Sequence, residues 1–316
     1  MSVIFRNESR PDLAQAIRTD ISSTYVFPRL GVINVTEESG VLAVADAISP
    51  TASTSRNYNA DLTLNRFGSQ GISYNCALVE TRIAATDSDL KLHGDDLATI
   101  EAEMANTGAQ GTVGTMEAAC AEALLAGAGE TLTLDAVSPL ATIAEAAYKV
   151  SPYGNATLVC SQSFLADLLK NENFVAPILK LFGNGIISGL VAGADAVLQS
   201  VGGWAGLPGG ILVGKDEFWG TATVDSVEAP LPAFVIGVRP EAQDPGRYYW
   251  TAKAKPCAVG TITFLPRDRE GTPWYVDTAY LSGPKLNAVD VGIKAVTKVF
   301  NGEGIVALEA ADLSNG

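Results

Sequence analysis

DDLATIEAEMANTGAQGTVGTMEAACAEALLAG, running from Asp95 to Gly127, spaces its apolar residues by threes and fours. Ala98, Ala102, Ala105, Ala109, Val113, Met116, Cys120 and Leu124 form one continuous line on a helix. Leu97, Ile100 and Met104 form a second line on the opposite face, so the first half is expected to be covered on both sides. Asp95 and Asp96 sit where negative charge favours a helix start, and Gly127 and Gly129 where a left-handed stop is cheap. Gly108, Gly111 and Gly114 each cost about 1 kcal/mol against alanine, so the helix depends on packing and those positions are where it would kink. At about 1.5 Å per residue it spans roughly 50 Å, close to the full width of a compact globule of this chain length. The rest of the chain is expected to be built along this spine. Its acids do not pair for acid/base chemistry: Glu101 and Glu103 cannot share a face, Glu117 and Glu122 are five apart, and both pairs read as solvated.

Composition narrows the classes. With 316 residues and 47% hydrophobic content the chain can bury a sizeable core without staples. Charged residues make up 18%, below the roughly 25% of typical soluble domains. Loss of Lys, Glu and Asp is a signature of protein contact cores, although a large-cored monomer fits the same figure. The formal charge is −14, from 21 basic and 35 acidic residues. Phosphate binding needs the opposite sign, which argues against sequence-specific or general nucleic-acid binding. Cys76, Cys120, Cys160 and Cys257 contain no CxxC pair and His93 is the single histidine, so no metal cage is expected and the thiols read as reduced and buried. MSVIFRNESRPDLAQ is charged too early for a signal peptide, and the uncharged tract Leu181 to Ala194 is too short to cross a bilayer. No cofactor and no membrane are expected.

In order, residues Met1 to Thr24 contain an amphipathic piece, Asp12 to Ile21, and otherwise no core of their own, which reads as an arm. Tyr25-Val26-Phe27-Pro28-Arg29-Leu30 would anchor it. From Gly40 to Arg82 the period changes to two, with Ile72, Tyr74, Cys76 and Leu78 on one side and Leu62 and Leu64 alternating likewise. An extended antiparallel hairpin follows, and a lone hairpin must lie on a neighbouring surface. Ser138-Pro139 opens a helix to about Val150. Asn155 to Cys160 reads as a strand, Gln162 to Lys170 as a helix, and the glycine-rich Gly183 to Gly214 as close-packed turns or mobile loops. Strands are expected at Ile211 to Val213, Ala233 to Val238, Tyr248 to Ala254, Val259 to Leu265, Trp274 to Leu281, Val289 to Phe300 and Ile305 to Leu308.

This order of parts resembles the major capsid protein of tailed bacteriophages, the Hong Kong 97-type fold. The resemblance covers almost the whole chain. It rests on Tyr74 to Leu90 leading into the spine, Met116 to Ala121 near its end, Ser138 to Ile143 before Gly154 to Val159, Leu168 to Glu172, and Leu212 to Gly220, all in the family's order. It implies an α+β fold divided into an N-terminal arm (1–33), an extended hairpin loop (34–83), the spine with the first part of a peripheral domain (84–132), an axial domain (133–230), the second part of the peripheral domain (231–288), and a return strand with tail (289–316). It further implies a shell subunit without catalysis, forming pentamers and hexamers of an icosahedral head around double-stranded DNA, assembled in the host bacterial cytoplasm. Hairpin residues around Gly40 to Tyr74 would overlap the adjacent subunit, Gly183 to Gly210 would lie near the capsomer centre, and the acidic spine would face the DNA. A portal, a separate scaffolding protein and decoration proteins are the implied partners. The family's type member carries a long scaffolding extension ahead of its arm, for which no room is seen here. Some relatives cross-link a hairpin lysine, yet no lysine precedes Lys91, so no cross-link is expected. An encapsulin-type compartment shell enclosing cargo enzymes has the same fold and is the alternative.

Candidate contact residues are Tyr25, Phe27 and Arg29 of the arm anchor, Arg56, Arg66 and Tyr74 of the hairpin, and Trp204. Aromatics dominate interface energies, and a guanidinium can fix register. Trp219, Trp250 and Trp274 serve equally well as core. Gly209 to Lys215 matches GxxxxGK but continues with Asp216 where a phosphate loop needs a hydroxyl, and its Ile-Leu-Val centre suits a buried strand; a monomeric nucleotide-binding enzyme is the reading from another class.

Overall fold

The computed structural model describes residues 5–17, 25–45, 69–92, 97–183, 185–191, 195–224, 227–238, 258–265 and 272–310. Leu97 to Gly127 is one continuous helix of 31 residues. The three glycines expected to kink it are where its neighbours come closest. A Cβ on Gly108 would lie 2.8 Å from Val291 Cγ2, one on Gly111 3.1 Å from Thr81 Cγ2, and one on Gly114 2.5 Å from Phe218 Cζ. Their poor helix propensity is offset by the approach they permit.

The strands, in chain order, are β1 (Glu8–Ser9), β2 (Val32–Val35), β3 (Ser39–Ala45), β4 (Ser69–Asn75), β5 (Leu78–Thr86), β6 (Glu130–Leu134), β7 (Asn155–Ser161), β8 (Ile211–Gly214), β9 (Thr221–Val224), β10 (Val227–Pro230), β11 (Ala233–Val238), β12 (Val259–Phe264), β13 (Trp274–Leu281), β14 (Leu286–Val299) and β15 (Ile305–Ala310). One six-stranded sheet runs β1-β13-β14-β12-β2, with β5 also on β14. The fourteen-residue β14 organises it. Its first part lies between β13 and β5, with Asp290 opposite both Asp277 and Arg82, and its second part pairs with β12 from Ala295 to Val299. β5 alternates in exposure, and its inward residues Val79, Ile83 and Ala85 pack on the spine's core. Thr112, fully buried on the spine, donates its hydroxyl to the Val291 carbonyl at 2.9 Å.

A second sheet, β6-β15-β11-β7-β8, has its own core with the helices Pro139–Val150, Gln162–Lys170 and Glu172–Phe182. Ser161 and Asn171 cap two of these, accepting from the backbone N–H of Phe164 and of Phe174 at 3.1 Å. Pro139 is the first helical residue as expected, while Ser138 makes no side-chain cap. β3 and β4 form a separate antiparallel ladder, from Ser39 opposite Asn75 to Ala45 opposite Ser69.

Two expectations are corrected. The amphipathic piece expected from Asp12 is helical over Pro11–Ala16 with Leu13, Ala14 and Ile17 buried, but Phe5 ahead of it is buried as well and β1 pairs with β13, so the segment before Thr24 holds more core than that piece alone. Burial there comes from a sheet that closes only after residue 274, which local periodicity cannot register. The glycine-rich tract holds helices, Gly185–Val191 and Asp195–Trp204. Gly189, whose Cβ would meet Val197 Cγ2 at 2.7 Å, lets them pack against each other. The expected strand Tyr248 to Ala254 and the pair Leu62 and Leu64 lie outside the described residues.

Candidate assembly surface

The aromatic segment after the arm forms a short 3-10 turn, Phe27–Arg29, with Pro28 fixing φ. Tyr25, Val26, Phe27 and Leu30 are all buried against the spine. At the centre of this contact is Glu117, with no exposed surface. One of its oxygens accepts from the Phe27 backbone N–H and the other from Trp219 Nε1. Trp219 closes the short helix Asp216–Trp219, so a single carboxylate ties the arm anchor, the spine and that helix together. Burial pushes the Glu117 carboxyl above its usual range, against the pull of the Phe27 and Trp219 bonds and of Lys215. Lys215 Nζ donates to Tyr25 Oη at 3.2 Å and lies 4.8 Å from its ring centre.

Glu117 therefore departs from the expectation of a solvated face. The legible signal was register: Val113, Cys120, Ala121 and Leu124 line one buried stripe, and Glu117 lies four residues from Val113 and three from Cys120. Glu101 departs in the same way, being buried and paired with Arg10. The opposite outcome befell Ala98, which is exposed.

The hairpin is rooted on its own sheet. Cys76, Tyr74, Ile33, Val35, Ile262 and Phe300 form a small separate core, flanked by Leu42, Ile72, Phe264 and Val296. Cys76 donates its backbone N–H to the Glu38 carbonyl at 2.7 Å, and burial pushes its thiol up to about 11. Above this core the Lys294 ammonium pairs with Glu38 and lies 5.7 Å from the Phe264 ring centre and 5.4 Å from that of Tyr275. Four residues earlier on β14, the Arg82 guanidinium forks onto Asp290 at 2.5 and 2.6 Å.

The contact candidates thus divide. Tyr25, Phe27 and Tyr74 are covered by their own chain, because the spine and the hairpin-root core supply the apolar partner expected from a neighbour. Arg29 is half-buried, and Arg56 and Arg66 lie outside the described residues. Trp204 is 38% exposed at the end of its helix. Val137, Tyr148, Leu181 and Phe182 are more exposed still, and Val41 on the hairpin is 68% exposed. Tyr148 was missed although its register shows it: Ile143, Ala146, Ala147 and Val150 face the core of that helix and Tyr148 faces away. Trp219 is core. Gly209 to Lys215 is no phosphate loop, since Ile211–Gly214 is strand β8, paired in parallel with β7. Cys76, Cys120 and Cys160 are buried free thiols, and no group of metal-ligating side chains occurs among the described residues. No described helix is long and apolar enough to cross a membrane.

A long spine helix laid across one sheet, a hairpin rooted at that sheet's edge and a second sheet with its own helices define the Hong Kong 97-type capsid fold, and this chain has it. Solved structures similar to it over nearly the full length of both chains include the virus-like particle from Pyrococcus furiosus (14% identity, 94% of this chain and 98% of that chain, TM-score 0.54). A phage-related protein from Bordetella bronchiseptica RB50 is similar at 12% identity, 99% of this chain, 100% of that chain and TM-score 0.63. The capsid of cyanophage P-SCSP1u is similar at 13% identity, 99% of this chain, 91% of that chain and TM-score 0.53. The sequence matches no protein-family model and no curated protein.

Proposed function

We propose that this chain is the major capsid protein of a tailed bacteriophage, a structural subunit that carries out no reaction and assembles into pentamers and hexamers around double-stranded DNA. The observation that carries this reading is the likeness to capsid and particle structures across the whole chain, from arm to last strand. Two features support it. The hairpin stem leaves a dedicated root with Val41 68% exposed, and Tyr148, Val137 and Trp204 offer apolar surface in the part of the chain assigned to the axial domain. Symmetry repeats each modest contact many times over a closed shell. The formal charge of −14 fits a container that encloses DNA without gripping its phosphates. The division into arm, hairpin loop, spine, axial and peripheral parts belongs to this proposal. So do Trp204, Arg56 and Arg66 as contacts between copies, the scaffolding, portal and decoration partners, and assembly in the bacterial cytoplasm.

The alternative reading is a shell of the same fold that encloses protein cargo. Negative-stain microscopy of the expressed protein, alone and with candidate scaffolding proteins, tests both. Closed shells of uniform diameter are expected, and a stable monomer under every condition overturns the proposal. The contents of particles from the native source then decide: double-stranded DNA with a portal supports the first reading, a protein cargo the second.

A further inference from the structure

Lys294 occupies a junction. It stands opposite Leu78, the first residue of β5, and the next residue, Ala295, is where β14 begins to pair with β12. From there its ammonium reaches Glu38, directly before β3, while resting near Phe264 of β12 and Tyr275 of β13. Its side chain is 20% exposed and that of Glu38 53%. The apolar core beneath and the bond from Cys76 N–H to the Glu38 carbonyl hold the hairpin at its base. The Lys294 ammonium adds a further tie from outside that base, drawing the Glu38 carboxylate toward the Phe264 and Tyr275 rings of two other strands.

We propose that Lys294 is a strut that sets the angle at which the hairpin leaves its own sheet and, through that angle, the curvature of the shell. The inference rests on the shell reading above. Its physical basis is leverage. β3 and β4 are seven residues each, a stem of about 20 Å, so a rotation of roughly 10° at the root moves its far end about 3.5 Å. Packed contacts lose much of their attraction over gaps of 0.5–1 Å, so such a swing selects a different seat on the adjoining subunit. In this view the isolated subunit already carries the direction of its hairpin, and Lys294 acts as a positioning residue for assembly.

The test uses the full chain with Lys294→Met, Glu38→Gln and Lys294→Arg. Hydrogen exchange of the β3 and β4 amides is followed in dissociated subunits, particle diameters are measured by electron microscopy, and thermal midpoints are recorded. Lys294→Met and Glu38→Gln are expected to speed hairpin exchange roughly fivefold, the factor that corresponds to about 1 kcal/mol for a part-exposed ion pair, and to give a mixture of diameters at a nearly unchanged midpoint. Lys294→Arg, which keeps a cation over the rings and a donor for Glu38, is expected to restore both. Wild-type exchange in Lys294→Met overturns the strut, and faster exchange with a single wild-type diameter overturns its link to curvature. Should Lys294→Met fail to fold, Glu38→Gln carries the same readouts from a more exposed position. If the wild type itself forms no shells, the shell reading and the curvature claim fall together, and the exchange rates still report separately on the strut.

Discussion

The arm anchor and the hairpin root each meet a charged side chain, and these two ties are built oppositely. The arm anchor meets Glu117, which is fully buried and accepts from two N–H groups belonging to different segments. The hairpin root meets Lys294, part exposed, paired with a carboxylate that is 53% exposed. Removing a buried acceptor leaves its donors without water or partner, whereas removing one end of a wet ion pair returns the other end to solvent. The first tie therefore governs whether the subunit holds together, and the second governs where a piece of it points.

The sharpest way to break this contrast is Glu117→Ala. Two buried donors lose their acceptor, at about 1–3 kcal/mol each, so urea unfolding should show a loss of roughly 3 kcal/mol or more. A loss below about 1 kcal/mol would mean that Phe27 and Trp219 find other acceptors and that the node is not structural. Next in size is Gly214→Ala. A Cβ there would lie 2.1 Å from Trp219 Cδ1, so the indole must leave Glu117, with an expected loss of about 1–3 kcal/mol by the same measurement.

A smaller effect separates the two ties by pH. Burial raises the Glu117 carboxyl above the 4.5 of the unfolded chain, so the folded state holds the proton more tightly. The resulting stabilisation is fully present below about 4.5 and is lost as pH rises through the folded value. Wild type is thus expected to lose stability relative to Glu117→Gln as pH climbs across that window, and parallel curves would show that the carboxylate is not desolvated. The smallest effect is that of Lys294→Met on global stability, at most about 1 kcal/mol, checked by thermal unfolding. A loss of several kcal/mol would make Lys294 a second Glu117 and erase the distinction.

Much of the fold was legible where periodicity is long or hydrophobic runs are sharply bounded. The spine, Gln162–Lys170, Ala233–Val238 and Trp274–Leu281 stand where their patterns place them. What failed did so for a common reason. Gly108, Gly111 and Gly114 were scored on intrinsic propensity, yet their value lies in letting Val291, Thr81 and Phe218 approach from distant parts of the chain. Glu117 was scored on charge, which favours water, although its register placed it on the buried stripe and its donors come from residues 90 and 102 positions away. Phe5 stands alone, outside the amphipathic piece that begins at Asp12, and its burial depends on a sheet completed near the other end of the sequence. Of the candidate contacts, Tyr25, Phe27 and Tyr74 are buried within their own chain, which only long-range packing could show.

Among the described residues, the chain passes between its two large sheets at Gly127–Gly129, where the spine ends, and again at 300–304, between β14 and β15. These passages touch backbone to backbone: Gly129 N–H points to the carbonyls of Gly302 and Ile305 at 3.0 and 3.2 Å, and a Cβ on Gly129 or on Gly302 would come within 2.6 Å of the opposite main chain. At these two passages the halves meet main chain to main chain, with no side chain between them. Load crossing there is carried by main chain with nothing soft in between, so in a container built from this chain the joints between copies should give before these two passages do.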